Sequence, residues 1–182
     1  QRARATAERT MRALGFAHGA YNVELFVDPA TGACKVIEVN PRFAAQFADL
    51  YHGVDGTHPY TVLAALATGG TPVWTARQGT CGAAASFVLR EFGDAPRRVP
   101  SRAERTWLAA RHPQARLHTF VKRGPARARE AKWLGSYRYG IVNLGGEDRD
   151  DLMRRYADIV AHVHFGADPA VTAGPVADAF AG

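Results

Sequence analysis

The sequence predicts an α+β fold with antiparallel strands and flanking helices, divided into two subdomains. Short apolar runs bounded by Gly and Pro indicate strands, and segments whose apolar residues recur every three to four positions indicate helices. The 182 residues are enough for one domain or two small ones. We predict a first subdomain over 1–70 and a second α+β subdomain over 80–165. Because Ala, Gly and Pro dominate the end of the chain, we predict a flexible tail over 166–182.

The first subdomain is predicted to begin and end with a helix. Residues 4–14 carry apolar side chains at helical spacing and are followed by Gly15, a residue that commonly ends helices. Pro59–Thr68 has Pro in its first turn and Gly69 after its end, the usual placement of these two residues around a helix. A helix already under way at Arg2, with no initiator Met before it, leads us to expect the carboxy-terminal piece of a longer protein.

A β-hairpin is predicted between these helices. Val23–Asp28 and Cys34–Val39 are apolar-rich runs, and the intervening Pro29–Ala33 contains Pro and Gly, which favour a turn. The later stretch Phe43–Thr57 is either the lining of a pocket for the acceptor substrate or an ordinary connection between strand and helix.

Three strands and two helices are predicted in the second subdomain. The strands are Gly82–Phe92, Leu117–Lys122 and Tyr137–Leu144. Ser101 with Glu104 three residues later is a capping box, which predicts a helix that runs to Arg111. The acidic cluster Glu147–Asp151 begins the last helix and places its negative charge at the favourable end of the helix dipole. The apolar face of that helix consists of Leu152, Tyr156, Ile159 and Val163.

Charge and composition narrow the classes of function. The net charge is +6, and residues 71–140 carry fourteen basic and four acidic side chains. Such a segment suits phosphate or nucleic acid, or it is a solvated arginine-rich surface. Because no motif with interleaved aromatic residues accompanies it, we do not expect a nucleic-acid partner.

No apolar stretch approaches the length of a membrane span, so no membrane partner is expected. Two cysteines are too few for a disulfide framework, and we expect a cytoplasmic protein.

Polar side chains gather at the end of the second predicted strand. Glu38 and Asn40 are two residues apart, so on a strand they point to the same side, and Arg42 follows at the same spacing. Two oxygen donors and a guanidinium do not belong in an apolar core. They suit Mg²⁺ held by carboxylate and amide oxygens, with a phosphoryl or carboxylate group bound by the arginine.

The hairpin brings a second acid towards Glu38. If the loop is symmetric about Thr31, Glu24 lies directly opposite Glu38, where like charges destabilise a sheet unless a cation lies between them. A register shift of one residue would turn Glu24 to the other face. The alternative is a solvent-exposed polar face that binds nothing.

These residues resemble the carboxy-terminal half of an ATP-grasp catalytic domain. The likeness covers about residues 5–70 and rests on Gly15-Phe16, on Tyr21–Glu24, on the strand pair and on Val36–Arg42. The superfamily includes biotin carboxylase, carbamoyl phosphate synthetase, D-alanine ligase and L-amino acid ligases. The resemblance implies ATP and two Mg²⁺ ions as cofactors, with Mn²⁺ as a substitute.

The resemblance also implies a role for each matching residue. Glu24 corresponds to the first metal-binding acid, and Glu38 to the carboxylate that bridges two Mg²⁺ ions. Asn40 corresponds to a ligand of the second metal, and Arg42 to the catalytic arginine that orients the reacting acyl or phosphoryl group. The positions of the family's apolar contacts with the nucleotide are occupied by Phe26 and Ile37.

Two departures from the family pattern refine the expected function. Biotin carboxylases have a catalytic glutamate eight residues after the bridging acid, where this sequence has Gln46, and this argues against bicarbonate activation. The family's nucleotide-binding lysines and phosphate-covering loop lie upstream of this region. We therefore expect the amino-terminal part of the same enzyme as a partner, and an inactive chain without it.

The implied activity is that of an ATP- and Mg²⁺-dependent carboxylate–amine (or thiol) ligase. It would act through an acyl phosphate and release ADP and phosphate. Its partners would be small-molecule carboxylate and amine substrates, and a homodimer is compatible with it. Two alternatives from other classes stay open: a non-catalytic remnant that serves as an interaction domain, and a basic nucleic-acid-binding module.

Overall fold

The computed structural model describes residues 1–93, 97–121 and 134–166. It divides into two compact units, Gln1–Gln78 and a second that begins at Gly79. Both units combine helices with antiparallel strands, so the predicted α+β class is confirmed. The predicted flexible tail lies, apart from Gly166, outside the described residues. No helix within the described ranges is both long enough and apolar enough to cross a membrane.

The first unit, all of which is described, consists of a two-stranded antiparallel sheet and α-helices. Its elements are α1 (Arg2–Ala13), β1 (Asn22–Val27), β2 (Cys34–Asn40), α2 (Ala48–Asp55) and α3 (Pro59–Ala67). The sequence did not predict α2, because this helix has only eight residues and Gly53 in its interior lowers its helical propensity. It ends at Gly56, whose φ of 76° is left-handed.

The side chain of Asp28 holds the β1–β2 loop. Its Oδ1 accepts hydrogen bonds from the backbone N–H groups of Ala30 at 2.8 Å and Thr31 at 3.0 Å. The bond from Thr31 and then that from Ala30 hold the pKa of Asp28 below its ordinary value. Gly32 has a left-handed φ of 67°, which glycine adopts readily. Such short-range bonds make the turn recognisable from the sequence.

The second unit contains an antiparallel sheet with the strand order β3-β5-β4. In chain order its described elements are β3 (Ala83–Glu91), α4 (Arg102–Arg111), β4 (Arg116–Thr119), β5 (Tyr137–Gly146) and α5 (Arg149–His162). Strand β5 is buried along almost its whole length, because a strand pairs with each of its edges and α5 packs against it. The strand predicted over Leu117–Lys122 ends at Thr119 in the structure, and Lys122 lies outside the described residues.

The apolar face of α5 forms the core with the sheet, as the sequence predicts. All four predicted residues of that face are buried: Leu152, Tyr156, Ile159 and Val163. The ring of Phe87 on β3 stacks on Tyr156, with the ring centroids 4.0 Å apart and the planes 8° from parallel. Aromatic contacts of this kind add to the free energy that apolar burial contributes.

Glu104 connects the start of α4 to two other segments. The capping box is present: the Ser101 hydroxyl accepts a hydrogen bond from Glu104 N–H at 3.2 Å, and the Glu104 carboxylate accepts one from Ser101 N–H at 2.6 Å. The same carboxylate pairs with two guanidinium nitrogens of Arg98, at 2.9 and 2.8 Å, and accepts from the backbone N–H of His164 at 2.9 Å. The Arg98 guanidinium above all, and then the other donors, hold the pKa of Glu104 far below its ordinary value.

We expect Glu104→Gln to destabilise the second unit by about 2 kcal/mol at pH 7, because charge-assisted hydrogen bonds are lost. Folding lowers the pKa of Glu104, so its contribution is complete above the ordinary pKa of 4.5 and decreases as the pH falls towards the folded-state value. The difference in stability should therefore shrink below about pH 4. Urea unfolding followed by circular dichroism measures it, and a difference that does not change with pH would contradict this role. Glu8→Gln, in an exposed pair with Arg4, is the control and should leave the midpoint nearly unchanged.

Candidate functional site

One face of the hairpin collects the predicted metal ligands. Asn22 pairs with Asn40, and Glu24 pairs with Glu38. Directly paired residues of antiparallel strands have their side chains on the same face of the sheet. All four side chains therefore lie on one side of the hairpin, and the predicted opposition of Glu24 and Glu38 is confirmed.

A β-bulge produces this opposition. Near the loop, Leu25 pairs with Val36, and a regular continuation would pair Glu24 with Ile37. The register shifts between Glu24 and Leu25, so that Ile37 is the extra residue and Glu24 meets Glu38. The symmetric loop assumed from the sequence gives a pairing register that is wrong by one residue near the turn. Beyond the bulge, from Glu24 to Asn22, the pairing is the predicted one.

A pocket of about 560 Å³ lies beside this face, a volume typical of sites for small ligands. Its lining comes from the paired ends of the strands and from the segment after β2: Asn22, Glu24, Asn40, Arg42 and residues 44–47. Glu38 shares the face but is not part of this lining. Phe26 and Ile37, the predicted nucleotide contacts, also lie outside the lining and are 54% and 65% exposed.

Arg42 folds back over Asn40. Its backbone N–H donates to the Asn40 carbonyl at 2.8 Å, and its Nη2 donates to the Asn40 side-chain oxygen at 3.3 Å. Its Nη1 donates to the carbonyl of Phe43 at 3.2 Å. A guanidinium carries five N–H donors, so the exposed Arg42 keeps donors for an anionic group in the pocket.

The two opposed carboxylates lack neutralising partners. In the part of the chain that the structure describes, the side chains of Glu24 and Glu38 have no hydrogen-bond or ion-pair partner. A divalent cation between them would offset their repulsion, and their oxygens with the amide oxygen of Asn40 are the hard donors that Mg²⁺ prefers. The donor set fits Mg²⁺, although the described residues contain no cluster of three or more His, Cys, Asp or Glu side chains able to hold a metal.

Asn22 was not predicted as a member of the site, and Gln46 was predicted only within Phe43–Thr57, a stretch expected either to line the pocket for the acceptor substrate or to connect strand and helix. Asn22 is the cross-strand partner of Asn40, so the same pairing argument that joined Glu24 to Glu38 could have found it. Gln46 lies on a short 3-10 helix, Ala45–Phe47, and lines the pocket because the chain turns after β2, which no local pattern indicates. The stretch 43–57 thus contains both pocket lining and the helix α2.

Two solved structures are similar in fold to this chain, whereas the sequence comparisons found no match. No protein-family model matches the chain, and no curated protein sequence matches it. The crystal structure of the K. lactis urea amidolyase matches with a TM-score of 0.57 at 18% identity, over 88% of this chain and 9% of that one. The Kluyveromyces lactis urea carboxylase matches with the same TM-score and identity, over 90% of this chain and 14% of that one.

The chain shares its fold with a segment of these two enzymes. It spans 9% of the length of the first and 14% of the length of the second. At 18% identity the likeness is one of fold, and it leaves activity, substrates and partners to be argued from the residues of the site.

We expect Glu38→Gln to stabilise the hairpin in metal-free solution, because the variant removes the repulsion between opposed carboxylates, an effect on the order of 0.5 kcal/mol. Millimolar Mg²⁺ should slow backbone amide exchange in β1 and β2 of the wild type but not of the variant. Hydrogen exchange with and without EDTA measures both effects. Equal exchange in the two proteins under both conditions would show that the two carboxylates neither repel each other measurably nor bind the cation.

Proposed function

We propose that this chain is the carboxy-terminal part of an ATP-grasp enzyme, a carboxylate–amine (or thiol) ligase that depends on ATP and Mg²⁺. The observation that carries the proposal is the direct opposition of Glu24 and Glu38, without neutralising partners among the described residues, beside a pocket lined by Asn40 and Arg42. The acid pair alone suits any divalent cation. The adjoining guanidinium adds a place for an anionic substrate group, which a simple metal-binding protein does not require.

The shared fold supports the same origin. The sequence motifs resemble those of a superfamily that includes biotin carboxylase, and the structure is similar in fold to a segment of a urea carboxylase. The residue pattern on one hairpin and the backbone arrangement over most of the chain thus both support an ATP-dependent ligase.

In this proposal the oxygen donors would hold two Mg²⁺ ions. Glu24 would hold the first and Asn40 the second, Glu38 would contribute to both, and Mn²⁺ would be a substitute. The metal ions would neutralise charge on the β- and γ-phosphates of ATP. Phe26 and Ile37, both exposed, would contact the nucleotide.

Arg42 binds the substrate carboxylate. One carboxylate oxygen attacks the γ-phosphorus, the bond to the β-phosphate oxygen breaks, and ADP leaves with that electron pair. The amine nitrogen then attacks the acyl carbon, the bond to the phosphate oxygen breaks, and the amine loses a proton to solvent as phosphate leaves. A guanidinium that stays protonated suits this role, because it stabilises negative charge in both steps without transferring a proton.

Gln46 favours a ligase over a bicarbonate-activating enzyme. It lines the pocket with Glu24 and Arg42 and is a neutral carboxamide, which cannot accept the proton that bicarbonate must lose. The pocket offers carboxamides of Asn22 and Gln46 instead, which donate and accept hydrogen bonds. This lining suits an organic acid that carries polar substituents.

The remaining wall of the active site belongs, in this proposal, to an amino-terminal part of the same enzyme. The hairpin leaves Phe26, Val36 and Ile37 exposed, and exposed apolar groups of this kind mark surfaces that another part of a protein covers. The small share of the urea carboxylase chain that this chain spans agrees with such a missing part.

Ion pairing weakens the case for a nucleic-acid-binding module. Within the basic segment, Arg97 pairs with Glu91 and Arg98 with Glu104. Guanidinium groups paired in this way contribute less to binding a phosphate backbone than free ones, so the formal excess of positive charge overstates the affinity of the segment for nucleic acid.

In the complete protein, we expect Glu38→Gln to lower kcat by on the order of 10²–10³, because loss of the bridging carboxylate leaves the metal charge uncompensated at the reacting phosphates. Cys34→Ala, at the other end of the same strand, is the matched control and should retain activity. ADP release is the measurement. Near-normal turnover of Glu38→Gln would contradict the assignment of Glu38 as a metal ligand.

We expect the complete protein, given Mg²⁺-ATP, hydroxylamine and a panel of amino and hydroxy acids, to form a hydroxamate together with ADP. Arg42→Ala should abolish the hydroxamate while circular dichroism stays unchanged, and Arg12→Ala, exposed on α1, should not. A hydroxamate that appears with AMP and pyrophosphate would overturn the acyl phosphate. Full hydroxamate formation by Arg42→Ala would exclude Arg42 from the site.

A further inference from the structure

The second unit carries a cleft that the proposed ligase reaction does not use. Arg111 and His112 at the end of α4 form one wall, and α5 forms the other. The residues that α5 contributes follow the spacing i, i+3, i+4 and i+7, so they form one stripe along the helix: Asp151, Arg154, Arg155 and Asp158. The cleft has a volume of about 390 Å³. We propose that it binds the phosphate group of a small phosphorylated molecule.

Among the described residues, each arginine of the cleft keeps donors without a partner. Arg111 pairs with Asp158 through Nε at 3.4 Å, Arg154 with Asp151 through Nη2 at 3.2 Å, and Arg155 with Asp151 through Nε at 2.7 Å. Each pair involves one nitrogen of a guanidinium with five N–H groups. The Arg111 and Arg154 side chains are 67% and 70% exposed, so their remaining donors are open to a ligand.

The two carboxylates hold the guanidiniums in place. Asp151 accepts from the backbone N–H of Glu147 at 3.0 Å as well as from Arg155, and these bonds hold the pKa of its carboxyl below the ordinary value. Asp158 contacts Nε2 of the buried His112 at 2.9 Å and Nδ1 of His162 at 3.2 Å. Both carboxylates are thus engaged on the protein side, and guanidiniums fixed in advance lose less entropy when a ligand binds.

The charge balance favours an anion. Three guanidiniums face two carboxylates, which leaves an excess positive charge in the cleft. Phosphate suits this arrangement better than a carboxylate does, since it offers oxygens in several directions to guanidiniums that approach from two helices. A nucleic-acid strand suits it less well, because two carboxylates in the lining would repel a continuous run of phosphates.

The test is a titration of the whole chain with inorganic phosphate, followed by ¹H–¹⁵N NMR. We expect saturable shifts of the Arg155 Nε–H signal and of amides in 111–112 and 151–158. Arg111→Gln with Arg154→Gln should weaken binding on the order of tenfold, because charge-assisted bonds are removed from exposed positions that do not support the core. Arg102→Gln, an exposed arginine of α4 outside the cleft, is the matched control and should bind like the wild type.

Three results would overturn the proposal. Absence of saturation with phosphate in the wild type would exclude the site, and so would equal weakening by Arg102→Gln, since that indicates general attraction to a basic chain. Tighter binding of single-stranded RNA than of phosphate to the same residues would assign the cleft to nucleic acid. The shifts are read at 111–112 and 151–158, none of which belongs to the hairpin pocket, so this test is independent of the ligase proposal.

Discussion

The opposition of two carboxylates across a two-stranded sheet is the constraint on which the first unit depends. Glu24 and Glu38 repel each other in water, and a regular continuation of the register near the turn would have kept them apart. The bulge at Ile37 is the local irregularity that holds the two acids face to face. The two opposed acids lower the stability of the hairpin, and yet the bulge holds them in this unusual register. Such an arrangement is typical of a binding site, because a cation bound between the carboxylates would replace their repulsion with metal coordination.

The two units differ in how they bury apolar surface. In the first, the buried side chains are those of Met11, Ala48 and Pro59, and the sheet has two strands. In the second, a central strand and the apolar face of α5 form one continuous core. A two-stranded sheet is marginally stable on its own, so the hairpin that carries the predicted metal ligands depends on α1, which contacts both of its strands.

Among the described residues, several arginines form ion pairs with neighbouring carboxylates. Arg97 is buried with Glu91, and its guanidinium lies 4.6 Å from the centre of the Tyr139 ring. The hairpin and the α4–α5 cleft both combine carboxylates with guanidinium groups, but in opposite proportions. Acids exceed arginines on the hairpin face, which favours cations, whereas arginines exceed acids in the cleft, which favours anions.

The sequence by itself determined the elements whose signals are local, whereas only the tertiary structure decided which distant segments meet. The capping box of α4, the Asp28 turn and the apolar face of α5 depend on hydrogen bonds or periodicity within a few residues. The pairing of Glu24 with Glu38 was also predicted. The assumed loop was wrong by one residue near the turn, and the bulge compensates for that difference. The tertiary structure placed β5 between β3 and β4, formed α2, and turned the chain after β2 so that Gln46 lines the pocket. Which segments become neighbours is decided by the apolar surface that a whole unit buries. Each residue contributes little to that total, so no short stretch of sequence shows which segments will meet.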